Sequence, residues 1–144
     1  MRNANMKHYQ KEAFKTRLAA ANPYQITQML MAGSIDNLNL GRAAIERKDL
    51  EAKSRFLSKA SSILDALKMS LDMEIGGEVS ENLFALYTYM IERILDATSE
   101  NSVEPIDEVM NLMKEIKSAW DEIPEDAKDT AFSQMDEARL AASG

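Results

Sequence analysis

The 144-residue chain contains no cysteine, one histidine, one tryptophan, three prolines and five glycines. Each shortage removes a class of protein. Without cysteine there is no disulfide framework and no thiolate zinc site. This fits a cytosolic protein. Few glycines, few prolines and 6% aromatics leave little material for turns or typical strands, which favours long helices joined by short loops. The only histidine, His8, lies in a polar N-terminal stretch, so no histidine-based triad and no Glu-x-x-His di-iron site can be assembled. No run of about 18 apolar residues could cross a bilayer, and the N-terminus lacks the apolar region of a signal peptide.

What is present is ordinary for a folded domain: 45% hydrophobic and 28% charged residues, with a formal net charge of −7. The length suits one domain with a sizeable core. An acidic chain gains nothing from a phosphate backbone, which argues against nucleic acid as a partner. The acidic side chains fall on polar faces at salt-bridge spacing and read as a solvated surface. Gly76-Gly77 follows a helical pattern and has no Gly-Lys-Ser/Thr after it, so it is not a phosphate loop. Nothing points to an enzyme, and no cofactor or metal is called for. The ten methionines suit either core filling or an adaptable partner surface.

Periodicity predicts four helices. Residues 1–21 form a basic, mobile arm with Met6, Tyr9, Phe14 and Leu18 as its apolar groups. Asn22-Pro23 is a strong helix start, and the first helix runs to about Lys48. Gly33 and Gly41 inside it imply close approach of another helix. Asp49 caps the second helix, with the stripe Phe56, Leu57, Ala60, Ile63, Leu64, Leu67 and Leu71. It runs to the double glycine, whose tolerance of positive φ ends it. The third helix carries Leu83, Phe84, Leu86, Tyr87, Met90, Ile91, Ile94 and Leu95, an apolar face wider than the ~100° a bundle helix needs. It either runs through the centre of the bundle or keeps a second face for a partner. Pro105 opens the fourth helix, Trp120 anchors its far end, and Pro124 stops it. Residues 125–144 form either a short fifth helix or a loose tail. The fold expected is all-α: an antiparallel up-down four-helix bundle over residues 22–124.

Two segments carry a resemblance. The first is Ala21-Asn22-Pro23-Tyr24 followed by Gln28-Met29-Leu30-Met31-Ala32-Gly33. The second is Leu71-Asp72-Met73-Glu74-x-Gly-Gly-Glu78, continued by Glu81-Asn82-Leu83-x-Ala85-Leu86-Tyr87-x-Tyr89-Met90-x-x-Arg93-Ile94-Leu95. Together, over about Tyr9 to Trp120, the sequence resembles the flagellin export chaperone family, FliS. Met31-Ala32 stand where that family usually has Tyr-Asp, and Asn22 stands where Ser is usual. The resemblance implies a cytoplasmic chaperone for the disordered C-terminal segment of flagellin. It would prevent premature polymerisation and deliver the segment to the flagellar type III export gate. A regulatory adaptor for an anti-sigma factor or co-chaperone is the alternative. The partner-binding residues expected are Leu83, Leu86, Tyr87 and Met90 on the third helix and Leu64 and Leu67 on the second, as an outer apolar rim. The alternative is that they are core, above all Leu83, Tyr87 and Leu67. Tyr9 matches a family tyrosine and is expected to fold the arm back over part of the groove.

Overall fold

The computed structural model describes Lys11 and residues 22–123. The expected arm (Lys11 apart), Tyr9 and the segment 125–144 lie outside the described residues. Four helices follow in order among the described residues: α1 Pro23–Glu46, α2 Leu50–Met69, α3 Met73–Glu100 and α4 Glu104–Asp121. Among the described residues there is no strand.

Local chemistry sets the boundaries. The Asn22 side chain accepts from the Gln25 amide (2.8 Å) and the Gln25 side chain accepts from the Asn22 amide (3.2 Å). This reciprocal box, with Pro23 in the first turn, satisfies orphan donors at the start of α1. Asp49 caps α2 by accepting from the Ala52 amide at 3.1 Å. Asp72 caps α3, accepting from Glu74 at 3.1 Å and Ile75 at 2.9 Å. The double glycine therefore does not end α2. That helix stops at Met69, the chain turns over residues 70–72, and a new helical turn begins before the glycines. Gly77 then leaves helical torsions (φ 52°, ψ −127°) and kinks α3 after its first turn.

Each helix packs chiefly on its two neighbours in a closed ring, with the broadest contact between α1 and α2. Contacts at both ends fix the antiparallel directions. At one end the Tyr24 and Trp120 rings stack, 5.0 Å apart and 9° from parallel. The Tyr24 hydroxyl donates to the Trp120 carbonyl, and Trp120 Nε1 donates to the Tyr24 carbonyl at 3.2 Å. Trp120 thus ties the end of α4 to the start of α1, as expected. At the other end Arg42 forks onto Asp107 (2.6 and 3.2 Å), joining α1 to the first turn of α4. Lys53 is buried at the start of α2. Its ammonium donates to the Thr98 carbonyl (3.0 Å) and to Asn101 Oδ1 (2.5 Å), closing the C-terminal end of α3 with a positive charge.

The core runs along the ring axis: Met31 and Leu38 from α1, Leu57 and Leu64 from α2, Tyr87, Met90 and Ile94 from α3, and Ile106, Val109 and Met113 from α4. Of the consecutive Met29, Leu30 and Met31, only Met31 is buried. The two glycines of α1 differ. A Cβ on Gly41 would fall 2.3 Å from Leu57 Cδ2, so this glycine sets how closely α1 and α2 approach. A Cβ on Gly33 would meet Ile63 Cδ1 at an ordinary 3.6 Å.

Gly41→Ala should therefore lose about 1–3 kcal/mol to overpacking, exceeding the ~1 kcal/mol of helix propensity that it gains. Gly33→Ala keeps the propensity gain and should stabilise by up to ~1 kcal/mol. Urea unfolding midpoints check both; a Gly41→Ala midpoint above that of the parent would contradict the packing account.

Candidate partner-binding surface

Two neighbours and the core cannot cover all the apolar surface of α3. Its core face is Tyr87, Met90, Ile94 and Ala97. The α4 flank is polar: the Tyr89 hydroxyl donates to Glu108, and Arg93 bridges Asp96 (3.0 Å) and Glu108 (3.4 Å). The hydrogen bond to Glu108 holds the Tyr89 phenol above its ordinary pKa. The α2 flank is marked by Lys68, whose ammonium lies 4.9 Å from the centre of the Phe84 ring.

From Phe84 an apolar stripe continues at i, i+4, i+7 and i+11 through Thr88, Ile91 and Leu95, one face of a helix. Phe84 is 40% and Leu95 60% exposed, with Thr88 and Ile91 half-buried. The Thr88 hydroxyl is spent on the Phe84 carbonyl at 2.9 Å, so this polar group needs no outside partner. Facing the stripe, α2 carries Lys68, Asp65, Ser61, Ser58 and Ser54 at the same heptad-like spacing. The pairs Lys68–Phe84 and Lys53–Thr98 fix the antiparallel register. That register sets Ser61 level with Ile91 and Leu95 between Ser54 and Ser58. The result is a shallow channel about 16 Å long from Phe84 to Leu95. One wall is apolar. The other carries Lys68 over Phe84 and Asp65 at one end and Ser61, Ser58 and Ser54 along the rest, whose small side chains leave Leu95 exposed.

The residues named from the sequence sit elsewhere. Leu64, Leu67, Tyr87 and Met90 are fully buried in the core, and Leu83 and Leu86 are half-buried against it. None of the six forms an exposed rim, because the core face of α3 is centred on Tyr87, Met90 and Ile94. The exposed positions on the flank are Phe84 and Leu95, with Ile91 half-buried between them. Burial pushes the Tyr87 phenol up to about 12. A phenol raised in the folded state contributes stability below its unfolded pKa of ~10, lost as the pH rises through 12.

Two other features complete the surface. Met69, Met73, Ile75 and Val79 are exposed around the α2–α3 corner, Met69 at 74% and Val79 at 67%. An open depression of about 310 Å³ between α1 and α4 is lined by Ile35, Lys114, Lys117, Ser118, Asp121 and Glu122. Its Lys117 and Asp121 pair with each other at 2.6 Å. Among the described residues no group of three His, Cys, Asp or Glu side chains is placed to hold a metal ion, and no helix is long and apolar enough to cross a membrane.

The family model described as flagellar protein FliS matches residues 4–127. The chain belongs to the FliS family. Among its FliS relatives, the flagellar secretion chaperone FliS of Vibrio cholerae is 40% identical over 120 residues, covering 83% of this chain and 88% of the relative. The flagellar secretion chaperone FliSB of Pseudomonas aeruginosa is 40% identical over 118 residues, covering 82% and 94%. The flagellar secretion chaperone FliS of Salmonella typhimurium is 39% identical over 121 residues, covering 83% and 90%.

The division between core and channel has a direct thermodynamic consequence. Met90→Ala should cost about 2–5 kcal/mol. Leu95→Ser should stay within about 0.5 kcal/mol of the parent, and Phe84→Ser should lose no more than ~1 kcal/mol with its cation–π contact. Urea titrations of the three variants check this; a loss at Leu95 comparable to that at Met90 would place Leu95 in the core.

Proposed function

We propose that this chain is a cytoplasmic chaperone that binds the C-terminal segment of newly made flagellin, keeps it from polymerising early and delivers it to the flagellar type III export apparatus. The observation that carries this reading is the uncovered apolar stripe of α3 beside the serine wall of α2. A disordered segment that folds on binding loses ordering entropy and needs an extended apolar surface to offset that loss. An amphipathic helix laid along the channel would bury Phe84, Ile91 and Leu95, and the small serines would let its backbone approach closely. The hydroxyls of α2 stay hydrated at the rim, and no buried charge is left unpaired. Membership of the FliS family, whose relatives are named flagellar secretion chaperones, supports the same reading. The N-terminal arm, with Tyr9, acts in this scheme as an internal cover that moves aside for the partner.

Calorimetric titration with a synthetic peptide of the C-terminal segment of flagellin from the same organism tests the proposal. One-to-one binding with a gain of helical circular dichroism and a negative heat-capacity change is expected. Leu95→Glu and Phe84→Glu should each weaken it by at least about tenfold, roughly 1.4 kcal/mol, with little change in melting. Absence of heat and of helix gain for the parent chain would overturn the reading. Deleting residues 1–18 should raise binding of a hydrophobic dye; an unchanged signal would remove the covering role of the arm.

A further inference from the structure

We propose that Gly76-Gly77 is a helix-extension switch, and that a partner in the α2–α3 channel drives it from the kinked to the straight form. The inference rests on the reading of that channel as a partner-binding surface, and it concerns how the surface is regulated.

Three observations meet at the corner. First, α3 is interrupted where an unbroken helix would be allowed. Residues 73–76 form one turn under their own Asp72 cap, Gly77 takes φ 52° and ψ −127°, and the helix resumes. That combination of torsions is open essentially to glycine alone. Second, the turn is thinly attached. Between Asp72 and Val79 no residue is buried, and Met73 and Ile75 are exposed. Segments with so few buried contacts lie at the low-stability end of a fold and can rearrange without unfolding the rest. Third, helical arithmetic gives the straight form a use. Met73 lies eleven residues before Phe84, three turns back on the same face, with only Gly77 and Ser80 between them. Rotating Gly77 into the ordinary helical region would bring Met73 into line with Phe84, Ile91 and Leu95. The apolar stripe would then run from residue 73 to residue 95, about 33 Å instead of about 16 Å. Ile75 would move at the same time to the opposite flank, in line with Val79 and Leu86. A partner that covers the longer stripe binds the straight form better, and that differential affinity shifts the equilibrium.

Both glycines bear on the balance in the same direction. A Cβ on Gly76 in the kinked form would fall 1.7 Å from Ser80 Oγ, whereas residues four apart in a straight helix have Cβ atoms about 5–6 Å apart. A Cβ on Gly77 opposes its positive φ. Gly76→Ala and Gly77→Ala should therefore favour the straight form. Amide hydrogen exchange at residues 76–80 should slow about tenfold or more in the variants without any partner. If the straight form is a ~10% minority in the parent, Kd for the flagellin peptide should fall about tenfold. Exchange that is unchanged or faster would show the kink to be a fixed corner and overturn the switch.

A second measurement keeps both native glycines. Because the chain has no cysteine, Glu74→Cys with Glu92→Cys supplies two unique sites for spin labels. Adding the flagellin peptide should lengthen their separation toward the ~27 Å of an unbroken 18-residue helical span. Peptide binding with an unchanged distance would leave the chaperone reading standing and sink the switch. No peptide binding at all would sink the chaperone reading, and the hydrogen-exchange comparison would still decide the switch.

Discussion

In a closed ring of four helices, each member is covered by two neighbours and by the core, and α3 has more apolar surface than those contacts can take up. Tyr87, Met90, Ile94 and Ala97 go inward, and the Tyr89–Arg93–Glu108 group seals the flank toward α4. What remains is Phe84, Ile91 and Leu95 on the flank toward α2. Whether they become core or surface is decided by α2, not by α3. Large side chains at positions 54, 58 and 61 would close over them, but serines stand there, and the seam stays open. An apolar helix face left open in this way is the kind of surface on which an amphipathic helix can dock. In the proposed function, the same shortage of covering atoms that costs the isolated bundle some burial is what the partner would make up.

The rest of the frame holds that groove still. Tyr24 and Trp120 interlock α1 and α4 at one end, while Arg42–Asp107 and the buried Lys53 close the other. Gly41 lets α1 sit tightly on α2, so the serine wall is backed by the broadest packing in the molecule. A rigid groove keeps the ordering cost of binding on the partner's side. The exception is the α2–α3 corner, where few contacts hold the first turn of α3 and glycine torsions interrupt it.

Much of this was legible in the sequence, and the limits have physical causes. Asn22-Pro23, Asp49 and Pro105 marked helix starts because capping is local chemistry. The helical periodicity of the α2 stripe was plain, and its Leu57, Ala60, Leu64 and Leu67 line the core. The excess width of the α3 stripe was also visible, and Phe84, Ile91 and Leu95 belong to it. What periodicity could not supply was the centre of the buried arc. Leu64, Leu67, Tyr87 and Met90 could be read as rim or as core, and they lie inside. Choosing among eight apolar positions on one helix requires knowing where two other helices sit. The double glycine read as the end of α2 for a related reason. Its torsional freedom was evident, but the Asp72 carboxylate caps a new turn ahead of it, and that competition is settled only in three dimensions. The buried Lys53 left no trace in the pattern, because its partners are a carbonyl and an asparagine at the far end of another helix.

The most direct test of the central claim, that the uncovered α3 flank receives the partner, is a methyl NMR titration. Isoleucine and leucine methyls would be labelled and the flagellin peptide added to the intact chain. The account predicts the largest shifts at Ile91 and Leu95, with Leu40 on α1 and Leu50 at the start of α2, both exposed but outside the channel, left unchanged. Shifts concentrated at Leu40 and Leu50, with Ile91 and Leu95 unmoved, would contradict it.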